Sequence, residues 1–193
     1  MKKNNDSERR EFFRIDDEVF LEFNVLSEEE YKSAADILDS LHNSSFSLSA
    51  DFATLNNSIH PVLNNINQLH PDVAQYLVFL NNKIDSLSHM LLEKETSFDP
   101  DKTIKANLSA SGIMFETDAE LVAGQLLKLE LVLLPEKVGI LVFGKVVTNK
   151  KDKESNNIIA VEFEHIRYED QELMIKHNLN KQMSDLREKN DNV

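Results

Sequence analysis

All four glycines of this 193-residue chain, Gly112, Gly124, Gly139 and Gly144, fall within one stretch of 33 residues. Glycine marks turns, bulges and close backbone approach. The distribution predicts a β-rich region from about Lys102 to Ile166 and a different architecture before it. Alternation agrees. Leu127, Leu129, Leu131 and Leu133 share one strand face, with Lys128 and Glu130 on the other. Ile159, Val161 and Phe163 alternate with Ala160, Glu162 and Glu164, which places His165 on the inward face of the same strand. The run from Ile140 to Val147 is apolar on both faces, as a strand covered on both sides would be, and Pro135 with Glu136 and Lys137 supplies a turn before it. An isolated strand stands early, where Val19, Leu21, Phe23 and Val25 alternate with Phe20, Glu22 and Asn24.

The middle of the chain has another character. From Ser27 to Thr96 there is no glycine, and ten acidic side chains accompany three lysines. Ser27 followed by Glu28, Glu29 and Glu30 is an N-cap with its capping box. Val73, Leu77, Leu80, Ile84, Leu87 and Leu91 form a heptad stripe behind Pro71, which suits a first helical turn. A second stripe runs through Phe52, Leu55, Ile59, Val62, Ile66 and Leu69. Pro61 interrupts it, and an interior proline costs about 3 kcal/mol, so a kink or two shorter helices is expected there. Glu169 to Arg187 reads as a final amphipathic helix with Ile175, Leu179, Met183 and Leu186 on its apolar side.

Composition narrows the chemistry. With 21 basic and 34 acidic side chains the formal net charge is −13, which argues against broad binding to DNA or RNA, where affinity comes from many phosphate contacts. One small anionic ligand on a local basic cluster remains compatible. The absence of cysteine removes disulfides, thiolate metal sites and cysteine nucleophiles. No run approaches the roughly 20 apolar residues that span a bilayer, and the opening MKKNNDSERR has no apolar core behind its charge, so no signal peptide and a cytoplasmic location are expected. The six histidines show no metal-ligand spacing, and nucleophile-elbow, phosphate-loop and dinucleotide motifs are missing. The expectation is a non-enzyme without metal or cofactor.

Two local features remain. Three of the five arginines, Arg9, Arg10 and Arg14, lie within six positions, with Phe12 and Phe13 between them. Guanidinium forks bind phosphates, stack on bases and pair with the O6 and N7 edge of guanine. The plain alternative is solvated charge near a terminus. The second feature is Asn107-Leu108-Ser109-Ala110-Ser111-Gly112 between two expected strands, which offers short polar groups and a glycine. Alone, it reads as an ordinary polar turn.

Together the two resemble the PilZ domain, the bacterial receptor module for cyclic di-GMP, which carries an RxxxR arm, often RRxxxR, and a [D/N]xSxxG motif. Arg9, Arg10 and Arg14 match the first, and Asn107, Ser109 and Gly112 match the second. The resemblance covers residues 8–26 and about 98–185, and is similar to atypical members with an inserted helical oligomerisation segment. It implies an α+β fold: an antiparallel β-barrel with a helical, coiled-coil insertion after its first strand and a C-terminal helix. The expected divisions are residues 1–26 for arm and first strand, 27–97 for the insertion, 98–187 for the rest of the barrel with its helix, and 188–193 for a frayed tail. The function implied is a cyclic di-GMP receptor, a homo-oligomer through the insertion that signals to a downstream partner. The six motif residues would hold the nucleotide. The alternative is an oligomeric scaffold of the same fold that binds no nucleotide.

Overall fold

The computed structural model of the chain describes residues 13–41, 44–95, 99, 102–151 and 157–191. The first strand, β1 (Ile15–Leu26), leads into four helices: α1 (Glu28–Lys32), α2 (Ala34–Ser40), α3 (Ser45–Leu69) and α4 (Pro71–Glu95). Five strands follow, β2 (Ile104–Ser109), β3 (Gly112–Thr117), β4 (Leu126–Leu133), β5 (Val138–Lys151) and β6 (Asn157–Ile166), and then helix α5 (Tyr168–Asp191). The six strands close an antiparallel barrel in the order β1-β2-β3-β6-β5-β4. β1 spans the closure: Ile15 to Val19 pair with Leu108 to Ile104 of β2, and Val19 to Leu26 pair with Leu133 to Leu126 of β4.

Alternation decides which side chains fill the barrel. Leu127, Leu129, Leu131 and Leu133 point inward and are at most 2% exposed, each contributing about 1.5–3 kcal/mol by burial. Lys128 and Glu130, on the other face, pair with one another at 2.7 Å. Ile140, Val142, Ile159, Val161, Ile113 and Phe115 complete the interior. Ala50 of α3 with Leu173 and Met174 of α5 join the same cluster, so two helices extend the core beyond the strands.

The helical insertion also lies on the barrel wall. The capping box at Ser27 is formed, with the Glu30 amide donating to Ser27 Oγ at 3.3 Å and the Ser27 amide donating to the Glu30 carboxylate at 2.8 Å. Tyr31, Ala34 and Leu38 cover the outward-facing Leu141 and Phe143 of β5, which accounts for the two-sided apolar run. The Tyr31 ring meets Phe143 edge-on at 6.2 Å, and its hydroxyl donates to Glu164 at 2.8 Å. Leu92 of α4 covers Phe20 and Val132.

Four expectations need correction. The chain passes Pro61 as one helix, α3, and not as two shorter ones; Pro61 and Asn57 are exposed, so water can reach the carbonyl left without a helical donor. His165 faces outward, against Tyr31 at 5.5 Å between ring centroids. Phe163 pairs with Gly144 and His165 with Phe143, so Glu164 is an extra residue that reverses the alternation. The helix α5 extends to Asp191, into the segment expected to fray. Its buried side holds Asp170, Leu173, Met174 and Asn178, whereas Leu179, Met183 and Leu186 are about half exposed, at 49%, 50% and 52%.

The hairpin of α3 and α4 has an unusual seam. Asn56 donates to Asp85 across it at 3.0 Å, and Ala74, Ser88 and Leu92 are buried on the same side of α4. The heptad stripe lies beside that seam instead of in it: Val73, Ile84 and Leu87 are 52%, 44% and 60% exposed. Leu55, Val62 and Leu69 of the α3 stripe are exposed as well.

Candidate functional site

The Asn107-to-Gly112 motif forms the tip where β2 turns into β3. Ser109 pairs with Gly112 across a two-residue turn of Ala110 and Ser111. Ser109 is fully buried, and its Oγ donates to the Gly112 carbonyl at 3.1 Å while the Ser111 amide donates to it at 3.4 Å. A Cβ on Gly112 would stand 2.5 Å from the Val161 carbonyl oxygen of β6. These two motif residues shape the turn and let β3 and β6 approach. Asn107 is different: it lies on the outward face, half-buried, and its amide donates to Asp16 Oδ1 at 2.7 Å.

The β1–β2 register brings the second arginine of the arm's RxxxR pattern to this motif. Ile15 pairs with Leu108 and Asp16 with Asn107, and the exposed Arg14 immediately precedes Ile15. Arg9 and Arg10 lie outside the described residues. The outward row continues across four strands, from Asp16 through Asn107 to Met114 and Ala160. Asp16 and Met114 were not singled out by sequence. Their signals were position two after Arg14 and position two after Gly112, readable only once the strand register is known.

Behind this face, Asp17 points the opposite way and ties β1 to α5. His177 Nε2 meets Asp17 Oδ2 at 2.6 Å, and Lys181 Nζ lies 3.7 Å from its other oxygen. Burial pushes the Asp17 carboxyl up, but the hydrogen bond and charge of His177, with Lys181, hold it below its ordinary value. At the start of α5, Arg167 grips Asp170 through two nitrogens at 2.9 and 2.7 Å. Burial still pushes the Asp170 carboxyl up, against the pull of Arg167.

A cavity of about 300 Å³ lies among α3, α4 and α5, where Phe52 and Leu173 meet Asp85, Glu136, Lys176 and His177. Its mixed charges select no one kind of ligand. Among the described residues no group of three or more His, Cys, Asp or Glu side chains is placed to hold a metal ion, and no helix is long and apolar enough to cross a membrane.

Comparison with known proteins identifies a domain. Residues 88–179 match the model of the PilZ domain. The chain carries a PilZ domain over this span. The matched span begins at Ser88 in α4, so β1 and the arginine arm lie outside it. A pathogenic protein from Xanthomonas campestris, described as a tetrameric PilZ domain self-assembled via a helical bundle, shares the fold at a TM-score of 0.55 and 11% identity, over 91% of this chain and 89% of its own. The Bacillus subtilis inhibitor of motility, MotI/DgrA, is similar over 45% of each chain, at 21% identity and a TM-score of 0.38. No curated protein matches the chain significantly.

The position of Gly112 in this PilZ domain generates a direct test of its architectural role. Gly112→Ala must displace the Val161 backbone, and overpacking of this kind costs about 1–3 kcal/mol. The urea midpoint of unfolding is expected to fall accordingly. An unchanged midpoint would show that β3 and β6 do not need the glycine.

Proposed function

We propose that this PilZ protein is a receptor for cyclic di-GMP, bound between the arginine arm and the Asn107 motif. The observation that carries the reading is the register of Ile15 on Leu108, which sets Arg14 beside the hairpin of Asn107, Ser109 and Gly112. In an acidic protein, a local cluster of guanidinium groups is the feature suited to a ligand with two phosphates and two guanines. Arg9, Arg10 and Arg14 take phosphates and base edges, Asn107 takes a base, and Ser109 and Gly112 hold the hairpin that presents it. Binding acts on β1, and β1 carries it to α5 through Asp17 and His177. From α5 it passes to a downstream partner.

The test is calorimetry with cyclic di-GMP. Arg10→Ala or Arg14→Ala removes charge-assisted bonds, each worth about 1.5–3 kcal/mol, so affinity should fall at least about tenfold. Added salt should weaken the wild type, because it screens the arm from the phosphates. No heat at high micromolar nucleotide would overturn the receptor reading and leave the oligomeric scaffold in its place.

The second part of the proposal is that the α3–α4 hairpin joins copies of the chain. Its apolar stripes are exposed on both helices while its internal seam is partly polar. Such an amphipathic face needs something to bury it, and the Xanthomonas protein is described as self-assembled via a helical bundle. The stripe is independent of the nucleotide site, so the nucleotide-free protein should already be an oligomer. Sedimentation equilibrium is expected to show a mass well above 22.1 kDa, and Leu80→Asp or Leu87→Asp should dissociate the assembly while nucleotide binding persists. A wild-type monomer at tens of micromolar would refute this part.

A further inference from the structure

We infer that Asp16 and Met114 complete, with Asn107, a subsite selective for guanine over adenine; the inference rests on the receptor reading. Asp16, Asn107, Met114 and Ala160 stand side by side on β1, β2, β3 and β6. At about 4.8 Å per strand, the row spans roughly 14 Å of the outward face. It is wide enough to lay one base flat with its edge at the β1 end.

The hydrogen bond between Asp16 and Asn107 sets the chemistry of that edge. An ionised carboxylate has only acceptors, so the NH₂ of Asn107 must be the group that meets Asp16 Oδ1, at 2.7 Å. That orientation turns Asn107 Oδ1 away from Asp16. Two acceptors are then left to a ligand, Asn107 Oδ1 and Asp16 Oδ2, and neither has a protein partner among the described residues. Guanine carries two donors on one edge, N1–H and the N2 amino group, and donors are what these acceptors can take. Adenine presents N1 as an acceptor in the same place, and two acceptors facing each other cannot bond.

The floor beside this edge suits a base. Met114 is 37% exposed although it sits in the middle of a strand, and its neighbours on the row are Asn107 and the small Ala160. Gly112, the next residue on the same face of β3, adds no side chain above it. A polarizable thioether on an open shelf is a stacking surface for an aromatic ring, and one indifferent to the identity of the base.

The charge of Asp16 makes the inference testable by sign. If Asp16 did not bond the base, its carboxylate would only repel the two phosphates that Arg14 attracts. Its removal would then tighten every cyclic dinucleotide. If it accepts from guanine, its removal weakens cyclic di-GMP and leaves cyclic di-AMP unchanged or tighter.

The experiment is calorimetry on the full chain with cyclic di-GMP and cyclic di-AMP. For Asp16→Ala, cyclic di-GMP affinity should drop about tenfold and its preference over cyclic di-AMP should shrink at least as much, consistent with the discrimination of a good bidentate pair. Asp16→Asn keeps the size of the side chain and removes the charge, so it should also shrink the preference; circular dichroism identical to wild type verifies its fold. Met114→Ser should weaken both nucleotides by a similar factor. Tighter or unchanged cyclic di-GMP binding in both Asp16 variants would overturn the subsite while leaving the receptor reading intact. A wild type that binds no cyclic di-GMP would overturn both.

Discussion

β1 pairs at its start with β2 and at its end with β4, and every other feature of the molecule depends on that double pairing. Residues 27–103 separate β1 from β2 in the chain, so the insertion must leave and return to the same wall of the barrel. Entropy permits this, because the cost of closing a loop grows by only about 0.6 kcal/mol per doubling of length. Enthalpy and burial then anchor the detour at three places. Tyr31 and Leu38 sit on Leu141 and Phe143, Ala50 extends the core, and Leu92 returns onto Phe20 and Val132. The helical hairpin is thereby a fixed extension of the barrel, and its apolar stripes point away from it.

The same strand organises the candidate site. Successive residues of β1 face opposite ways, so Asp16 bonds Asn107 on the outer face while Asp17 bonds His177 of α5 on the other. A ligand that pulls on Arg14 and Asp16 therefore acts on a strand whose next residue holds the C-terminal helix. That contact is short and almost wholly buried on the Asp17 side. In the proposed receptor it would carry binding from the β1–β2 face to α5.

Much of the barrel could be read from the chain alone, because its inward positions are leucine, isoleucine and valine at strict alternation. The failures have one cause each. His165 was placed inside because a period of two says nothing about an extra residue, and Glu164 is that residue. The buried side of α5 was missed because it contains Asp170, His177 and Asn178, whose partners Arg167, Asp17 and the Leu108 carbonyl include residues distant in sequence. The heptad stripe was found with the right spacing, but the seam of the hairpin lies next to it, through Asp85 and Ser88. At the site, Asn107 and Arg14 stood out as motif members. Asp16 counted only as one more acid until the register set it against Asn107.

If the receptor reading holds, cyclic di-GMP closes over the β1–β2–β3 face and leaves the α3–α4 hairpin alone. Hydrogen–deuterium exchange of the full chain, with and without cyclic di-GMP, tests it most directly. Slowed exchange is expected in residues 8–18 and 105–116, with residues 45–95 unchanged. Protection confined to residues 45–95, or no protection of residues 8–18 at saturating nucleotide, would contradict it.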